Sequence, residues 1–285
     1  MSAPVARASN GANASPRGAS PRGWAGRAPA RRAWAPLLLS AALLGAWELY
    51  ADVGGVQEDL LPAPHAVAAA LWNNGALVWR NFAVTAEQVV LGLALALASG
   101  FALAVAIHLF PLLRRAVYPL AVGSQAVPIP VIGVLLVFWW GFGIFPKLVV
   151  IALICFFPVV VATVDGLAAV DPEQPKLLRT LDASRWQAFR FAELPAALPA
   201  ALSGARIALA VGVIGAFIAE TSTPTTEAYS GLGREIMTDA GGFQTARAYA
   251  ATAVLFAFAI ACFHALGLAE RRLVPWKIRP RGETT

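Results

Sequence analysis

Charged residues are scarce in this chain: Asp, Glu, Lys and Arg make up 13% of 285 residues, against about 25% in an ordinary soluble domain. That scarcity excludes a water-facing surface over most of the sequence. Cysteine is nearly absent, and the two present, Cys155 and Cys262, lie far apart within apolar runs. Neither a secreted disulfide framework nor a thiolate metal site fits that spacing, and both are expected to be buried apolar thiols. The three histidines, His65, His108 and His264, show no mutual spacing for a metal, and none is expected. No Gly-x4-Gly-Lys-Ser/Thr loop is present to hold nucleotide phosphates. Paired acids, or a Ser beside a base at matching membrane depth, are also lacking, which weighs against the alternative of a membrane-embedded enzyme.

What the chain has is apolar length. Hydrophobic residues reach 58% and the mean hydropathy is +0.65. Crossing a bilayer core of about 30 Å takes roughly 20 apolar helical residues. Six runs lack Asp, Glu, Lys and Arg, and they predict spans at about 33–51, 84–109, 119–141, 147–165, 202–221 and 247–269. Helices are the natural form, because lipid-exposed backbone must satisfy its own hydrogen bonds and the runs are too uniformly apolar for barrel strands. The expected fold class is therefore all-α, a polytopic membrane protein with about six transmembrane helices. With both termini cytoplasmic, all but four of the 22 Lys and Arg (Arg80, Lys147, Arg234 and Arg247) fall inside, as the positive-inside bias of a bacterial inner membrane requires. That topology accounts for the net charge of +6, and no nucleic-acid partner is expected.

Residues 1–32, rich in Ala, Arg, Gly, Pro and Ser, predict a disordered cytoplasmic tail. A signal peptide is not expected, since the charged region is long and the first apolar run continues into Glu48 without a small-residue cleavage site. Past Leu61-Pro62-Ala63-Pro64, helical spacing of Val67, Ala70, Leu71, Leu77 and Val78 suggests a short amphipathic helix on the outer surface. Gly92, Ala96, Gly100 and Ala104, and again Gly204, Ala208, Gly212 and Ala216, form small-residue stripes that let membrane helices approach closely. The stretch 116–146 carries Pro119, Pro128, Pro130 and Pro146, so a straight helix is not expected there. Two readings stand: a kinked packing helix, or a broken helix lining a translocation path with Ser124, Gln125, Pro128 and Pro130. Glu220, at the outer end of its span, is either a further path residue or a plain interfacial cap.

Between the fourth and fifth spans, residues 166–200 are far more polar than their surroundings. Asp171-Pro172-Glu173 is a helix start, with Pro near the first turn and acids at the positive end. Leu177, Leu178, Leu181, Trp186, Phe189 and Phe191 then alternate with basic residues, interrupted at Asp182-Ala183-Ser184, where Asp or Ser caps a second short helix. Two short amphipathic helices facing the cytosol make a docking surface.

The run Leu178-Arg179-Thr180-Leu181-Asp182-Ala183-Ser184-Arg185-Trp186, followed by Leu194-Pro195-Ala196-Ala197-Leu198-Pro199 and Gly204-Ala205-Arg206, resembles the coupling loop of permeases in binding-protein-dependent ABC importers. Leu61-Pro62-Ala63-Pro64, Trp139-Trp140-Gly141-Phe142-Gly143, Gly231-Leu232-Gly233 and Glu270-Arg271-Arg272-Leu273-Val274-Pro275-Trp276 extend the resemblance over roughly residues 35–277. It is to the nitrate, sulfonate, taurine and thiamine-precursor permeases. It implies a type I importer permease fold over 33–270, with the loop at about 166–200 and a cytoplasmic tail at 271–285. It further implies a homodimer in the bilayer, an ATP-binding subunit carrying ATP and Mg, and an extracytoplasmic solute-binding protein. Lys176, Leu177, Leu178, Leu181, Asp182, Ala183, Ser184, Leu194 and Pro195 would then contact the ATPase subunit. The family's loop usually opens Glu-Ala-Ala, with Gly six residues after the Glu; here Lys176, Leu177, Leu178 and Asp182 stand instead. Asp tolerates the left-handed backbone a turn Gly supplies, so the loop's shape should survive. The altered opening resembles the branch importing pyrimidine precursors of thiamine.

Overall fold

A computed structural model describes residues 34–123, 127–223 and 229–276. Among these residues every regular element is helical. The chain divides into two compact units, Met1–Ala46 and Trp47–Thr285. The described part of the first is the beginning of α1 (Trp34–Val53), whose Leu37, Leu38, Leu39 and Leu43 are all exposed.

The second unit holds α2 (Pro64–Asn73), α3 (Gly75–Leu109), α4 (Pro111–Gly123), α5 (Ile129–Trp140) and α6 (Ile144–Ala168). Then come α7 (Glu173–Thr180), α8 (Arg185–Ala188), a π-helical turn Phe189–Glu193, α9 (Leu194–Ser222), α10 (Leu232–Gly241) and α11 (Thr245–Leu273). Four continuous helical runs are long and apolar enough to cross a membrane: Gly75–Leu109, Ile144–Ala168, Arg185–Ser222 and Thr245–Leu273. They contain the expected spans at 84–109, 147–165, 202–221 and 247–269. The 20-residue α1 covers the first expected span. The third is not one helix: α4 contains Pro119, and the helix resumes only at α5, behind Pro128. The short helix expected past Leu61-Pro62-Ala63-Pro64 is α2, which already starts at Pro64 and ends at Asn73, so that Leu77 and Val78 belong to α3. Gly141 ends α5 at a φ of 73°, in the left-handed region that favours glycine.

The core is built around α6, whose Val150, Ile151, Cys155 and Val159 are fully buried between α3 and α9. Both small-residue stripes pack on this one helix. A Cβ at Gly92 would lie 2.7 Å from the Ile151 side chain, and one at Gly204 would lie 2.4 Å from Cβ of Ala162. Glycine at these positions brings the backbones together without displacing α6. The Cys155 thiol donates to the Ala208 carbonyl at 3.2 Å, whereas Cys262 is only partly buried.

Candidate coupling surface and the polar ties at the far end of the bundle

The polar segment folds as two short helices set on the base of α9. Asp171 accepts the Glu173 amide at 2.9 Å and starts α7. At its end the Ala183 amide reaches back to the Leu178 carbonyl and the Asp182 amide to that of Arg179, both at 3.1 Å. This is a Schellman ending, which puts its C′ residue in the left-handed region. Asp182 takes that place with φ 59°, so the expected turn shape is present without glycine. Ser184 then caps α8 in a complete capping box: its hydroxyl accepts the Gln187 amide, and the Gln187 side chain accepts the Ser184 amide at 2.7 Å.

Three ties clamp this unit to the membrane helices, and a fourth joins it to the segment that follows α11. Phe189 is 2% exposed and packs with Leu167 and Ala197. The Arg185 guanidinium donates to the terminal carbonyl of α3, Leu109, at 2.7 Å. His108 on α3 meets Glu193 at 2.6 Å. The fourth tie follows from proline chemistry. Pro199 has no amide to offer the carbonyl four residues back, Pro195, and the Trp276 indole N–H fills that vacancy at 3.2 Å. The π turn just ahead of Pro195 spaces the backbone where a regular helix would clash with the ring.

Held this way, the segment exposes a row of large apolar side chains: Leu177, Trp186, Phe191 and, at 72% exposure, Leu181. A shallow groove of about 410 Å³ runs beside it, lined by Leu177, Leu178, Phe191, Pro195 and Trp276 among others. Lys176 is exposed and pairs with Glu173 at 2.8 Å. Asp182 and Ser184 are exposed, and Leu178, Ala183, Leu194 and Pro195 half-buried. All nine residues expected at the coupling surface thus lie on this one unit. Phe189, expected beside them as a contact, is instead its internal anchor.

The Glu220 carboxylate, near the C-terminal end of α9, is fully buried. Thr85 on α3 donates to one oxygen at 2.7 Å, and the Gly233 amide in the first turn of α10 donates to the other at 2.6 Å. The Thr85 hydroxyl also accepts the Leu232 amide at 2.8 Å. Lys147, likewise fully buried, donates to the Tyr229 carbonyl at 2.6 Å and lies within electrostatic reach of Glu220. Asn81 donates to Glu235 at 2.7 Å, and burial pushes the Glu235 carboxyl above the usual carboxylate range. Arg247 on α11 pairs with Asp239 on α10. Of the other expected path residues, Pro128 and Pro130 are exposed at the start of α5, and Ser124 and Gln125 lie outside the described residues.

The polar cluster around Glu220 escaped the sequence reasoning, although Asn81, Thr85 and Gln88 recur at helical spacing along one face of α3. Equally unforeseen is the ion pair of Arg206 with Glu270 at 2.8 Å, which fastens α9 to α11 nearer the polar segment. Among the described residues, Glu48, Asp52 and His65 bring ligand atoms within 4.8 Å of one another. Two of the three are directly paired: the His65 ring nitrogen meets Glu48 at 2.5 Å, and its amide donates to the same carboxylate at 3.2 Å.

Comparison with known proteins agrees with this architecture. Residues 88–278 match the family model of the binding-protein-dependent transport system inner membrane component. The formylaminopyrimidine transport permease protein ThiX of Halalkalibacterium halodurans is 33% identical, over 85% of this chain and 95% of its own. The taurine transport system permease protein TauC of Escherichia coli is 30% identical, over 83% and 87%. The riboflavin transport system permease protein RibX of Chloroflexus aurantiacus is also 30% identical, over 82% and 87%. The crystal structure of an amino acid ABC transporter with histidines shares the fold, with a TM-score of 0.58 and 16% identity, covering 72% of this chain and 97% of that one. By sequence and by fold, the chain belongs to the binding-protein-dependent transport system inner membrane components, as an ABC importer permease of the nitrate, sulfonate and taurine type.

Proposed function

We propose that this permease subunit forms the path for a small solute handed over by a binding protein, and that its 166–200 segment receives the ATP-binding subunit on the cytoplasmic side. The observation that carries the reading is the exposed apolar row of Leu177, Leu181, Trp186 and Phe191 on a unit clamped to α3, α9 and Trp276. Exposed apolar side chains on a rigid polar segment favour a protein partner, because water otherwise surrounds them at a cost of about 25 cal/mol per Å². Rigidity matters as much: a docked subunit moves α9 only if the surface between them does not yield. ATP and Mg belong on that subunit, since this chain has no phosphate-binding loop.

A second copy completes the path. An apolar groove of about 620 Å³ runs between α9 and α11, lined by Val213, Phe217, Leu255, Phe256, Ala259 and Phe263 among others, and suits a like apolar helix face. For the solute we favour a pyrimidine precursor of thiamine, on the likeness to the formylaminopyrimidine permease over 85% of the chain. Purification of the tagged protein from its own membrane in mild detergent tests the whole reading. An ATPase subunit and a binding protein should co-purify, and the binding protein should take formylaminopyrimidine in preference to taurine, sulfonates, nitrate or riboflavin. Recovery of neither partner would overturn the docking assignment. Preference for another solute would overturn only the solute.

A further inference from the structure

The helical run Arg185–Ser222 is unbroken, so about 50 Å of helix links the candidate docking surface to Glu220. At that far end Glu220 does not face open space. Its two oxygens bind Thr85 of α3 and the Gly233 amide of α10, while Thr85 binds Leu232 of α10, closing a ring through three helices. The Gly-Leu-Gly turn at 231–233 is shaped to this carboxylate. A Cβ at Gly231 would lie 1.8 Å from one Glu220 oxygen, and one at Gly233 would lie 2.8 Å from the other. The amide donors also sit at the N-terminus of α10, where the helix favours negative charge.

On its opposite face α10 presents Arg234, Met237 and Thr238 to the surroundings, on the side where the binding protein would approach. We propose that Glu220 is a positioning residue that locks α10 to α9, so that ATP-driven displacement at the docking surface moves α10 and its exposed face together with α9. The inference rests on the docking reading above and concerns a different end of the molecule. It departs from both sequence readings of Glu220: the side chain is a buried tether holding a helix, neither a group touching solute nor an interfacial cap.

Substitutions separate these roles. Glu220→Gln keeps an oxygen for the Gly233 amide and an amide donor for Thr85, whose hydroxyl has the Asn81 carbonyl at 3.3 Å as an alternative acceptor. Glu220→Ala removes both bonds. Gly231→Ala leaves the Glu220 side chain intact but fills its seat. Thr85→Val removes the third corner with little change of volume.

The test uses the assembled permease–ATPase complex in liposomes carrying Met237→Cys, and reads how fast an impermeant thiol reagent modifies the introduced cysteine with and without ATP and vanadate. Cys155 is buried and Cys262 partly buried in α11, so the new thiol dominates the signal. With Glu220 intact, or with Glu220→Gln, ATP and vanadate should change the rate by about fivefold or more, while Glu220→Ala and Gly231→Ala should abolish the change with the ATPase subunit still bound, as expected for losing two buried hydrogen bonds. Should Glu220→Ala fail to assemble, Thr85→Val carries the same prediction. An unchanged response in Glu220→Ala and Gly231→Ala, a loss in Glu220→Gln as complete as in Glu220→Ala, or no response in the parent protein would each overturn the tether. Failure of the parent protein to bind any ATPase subunit would instead overturn the docking assignment on which it rests.

Discussion

Leu181 offers the sharpest test of the docking surface because it is large, apolar and uninvolved in holding the segment together. Burying a leucine side chain completely contributes about 1.5–3 kcal/mol. At 72% exposure, Leu181 has most of that still to gain, roughly 1–2 kcal/mol if a partner covers it. Truncation to Ala keeps only Cβ and should weaken association with the ATPase subunit about five- to tenfold. Leu181→Glu adds the desolvation of a carboxylate without a partner and should exceed about 100-fold.

Phe189→Ala is the counterpart. That ring is 2% exposed, so its loss should cost the fold about 3–5 kcal/mol and lower thermal stability before it touches affinity. Binding of the purified ATPase subunit to nanodisc-embedded variants, measured by interferometry beside a melting curve, separates the two effects. If Leu181→Ala and Leu181→Glu both bind within about twofold of the parent, a shift far below the predicted loss, the row of apolar side chains is not the interface and the argument from exposure fails.

Asp182 holds a left-handed conformation at φ 59°, which glycine adopts freely, Asp tolerates, and a β-branched residue takes only with strain of roughly 1–2 kcal/mol. Asp182→Gly should therefore slow, and Asp182→Val accelerate, hydrogen exchange of the Ala183 amide that bonds Leu178 across the turn. Trp276→Phe should cost about 1 kcal/mol by leaving the Pro195 carbonyl unpaired, and Pro199→Ala should compensate in that background, because the new amide supplies the missing donor; a double-mutant cycle on thermal stability reads the coupling. His65 is drawn above its ordinary value of 6.5 by the hydrogen bond and charge of Glu48. The pairing is thus fully present below that value and is lost as pH rises through the raised one. Histidine NMR titration should place the midpoint above 6.5, and Glu48→Gln should bring it back down.

The amino-acid sequence by itself determined the membrane character, because runs of some 20 uncharged apolar residues have no other stable environment. It also determined the two short helices of the 166–200 segment, since Asp171-Pro172-Glu173 and Ser184 act on amides within a turn of themselves, and the break ahead of α5, since a proline has no amide wherever it sits. Such signals are local, and a single strand of text carries them.

The tertiary structure alone decided what depends on residues far apart. Phe189 and Leu181 are both large and apolar and follow the ends of α8 and α7, yet one is the anchor and the other the surface, because only Phe189 faces Leu167 and Ala197. Both small-residue stripes proved to serve α6. Glu220 became a tether because Thr85, 135 positions earlier, donates to it, and because Gly231 leaves its oxygen room. Burial makes such pairings obligatory, since a carboxylate without donors is costly away from water. The sequence shows that these polar groups must find partners, and only the packing of α3, α9 and α10 selects which.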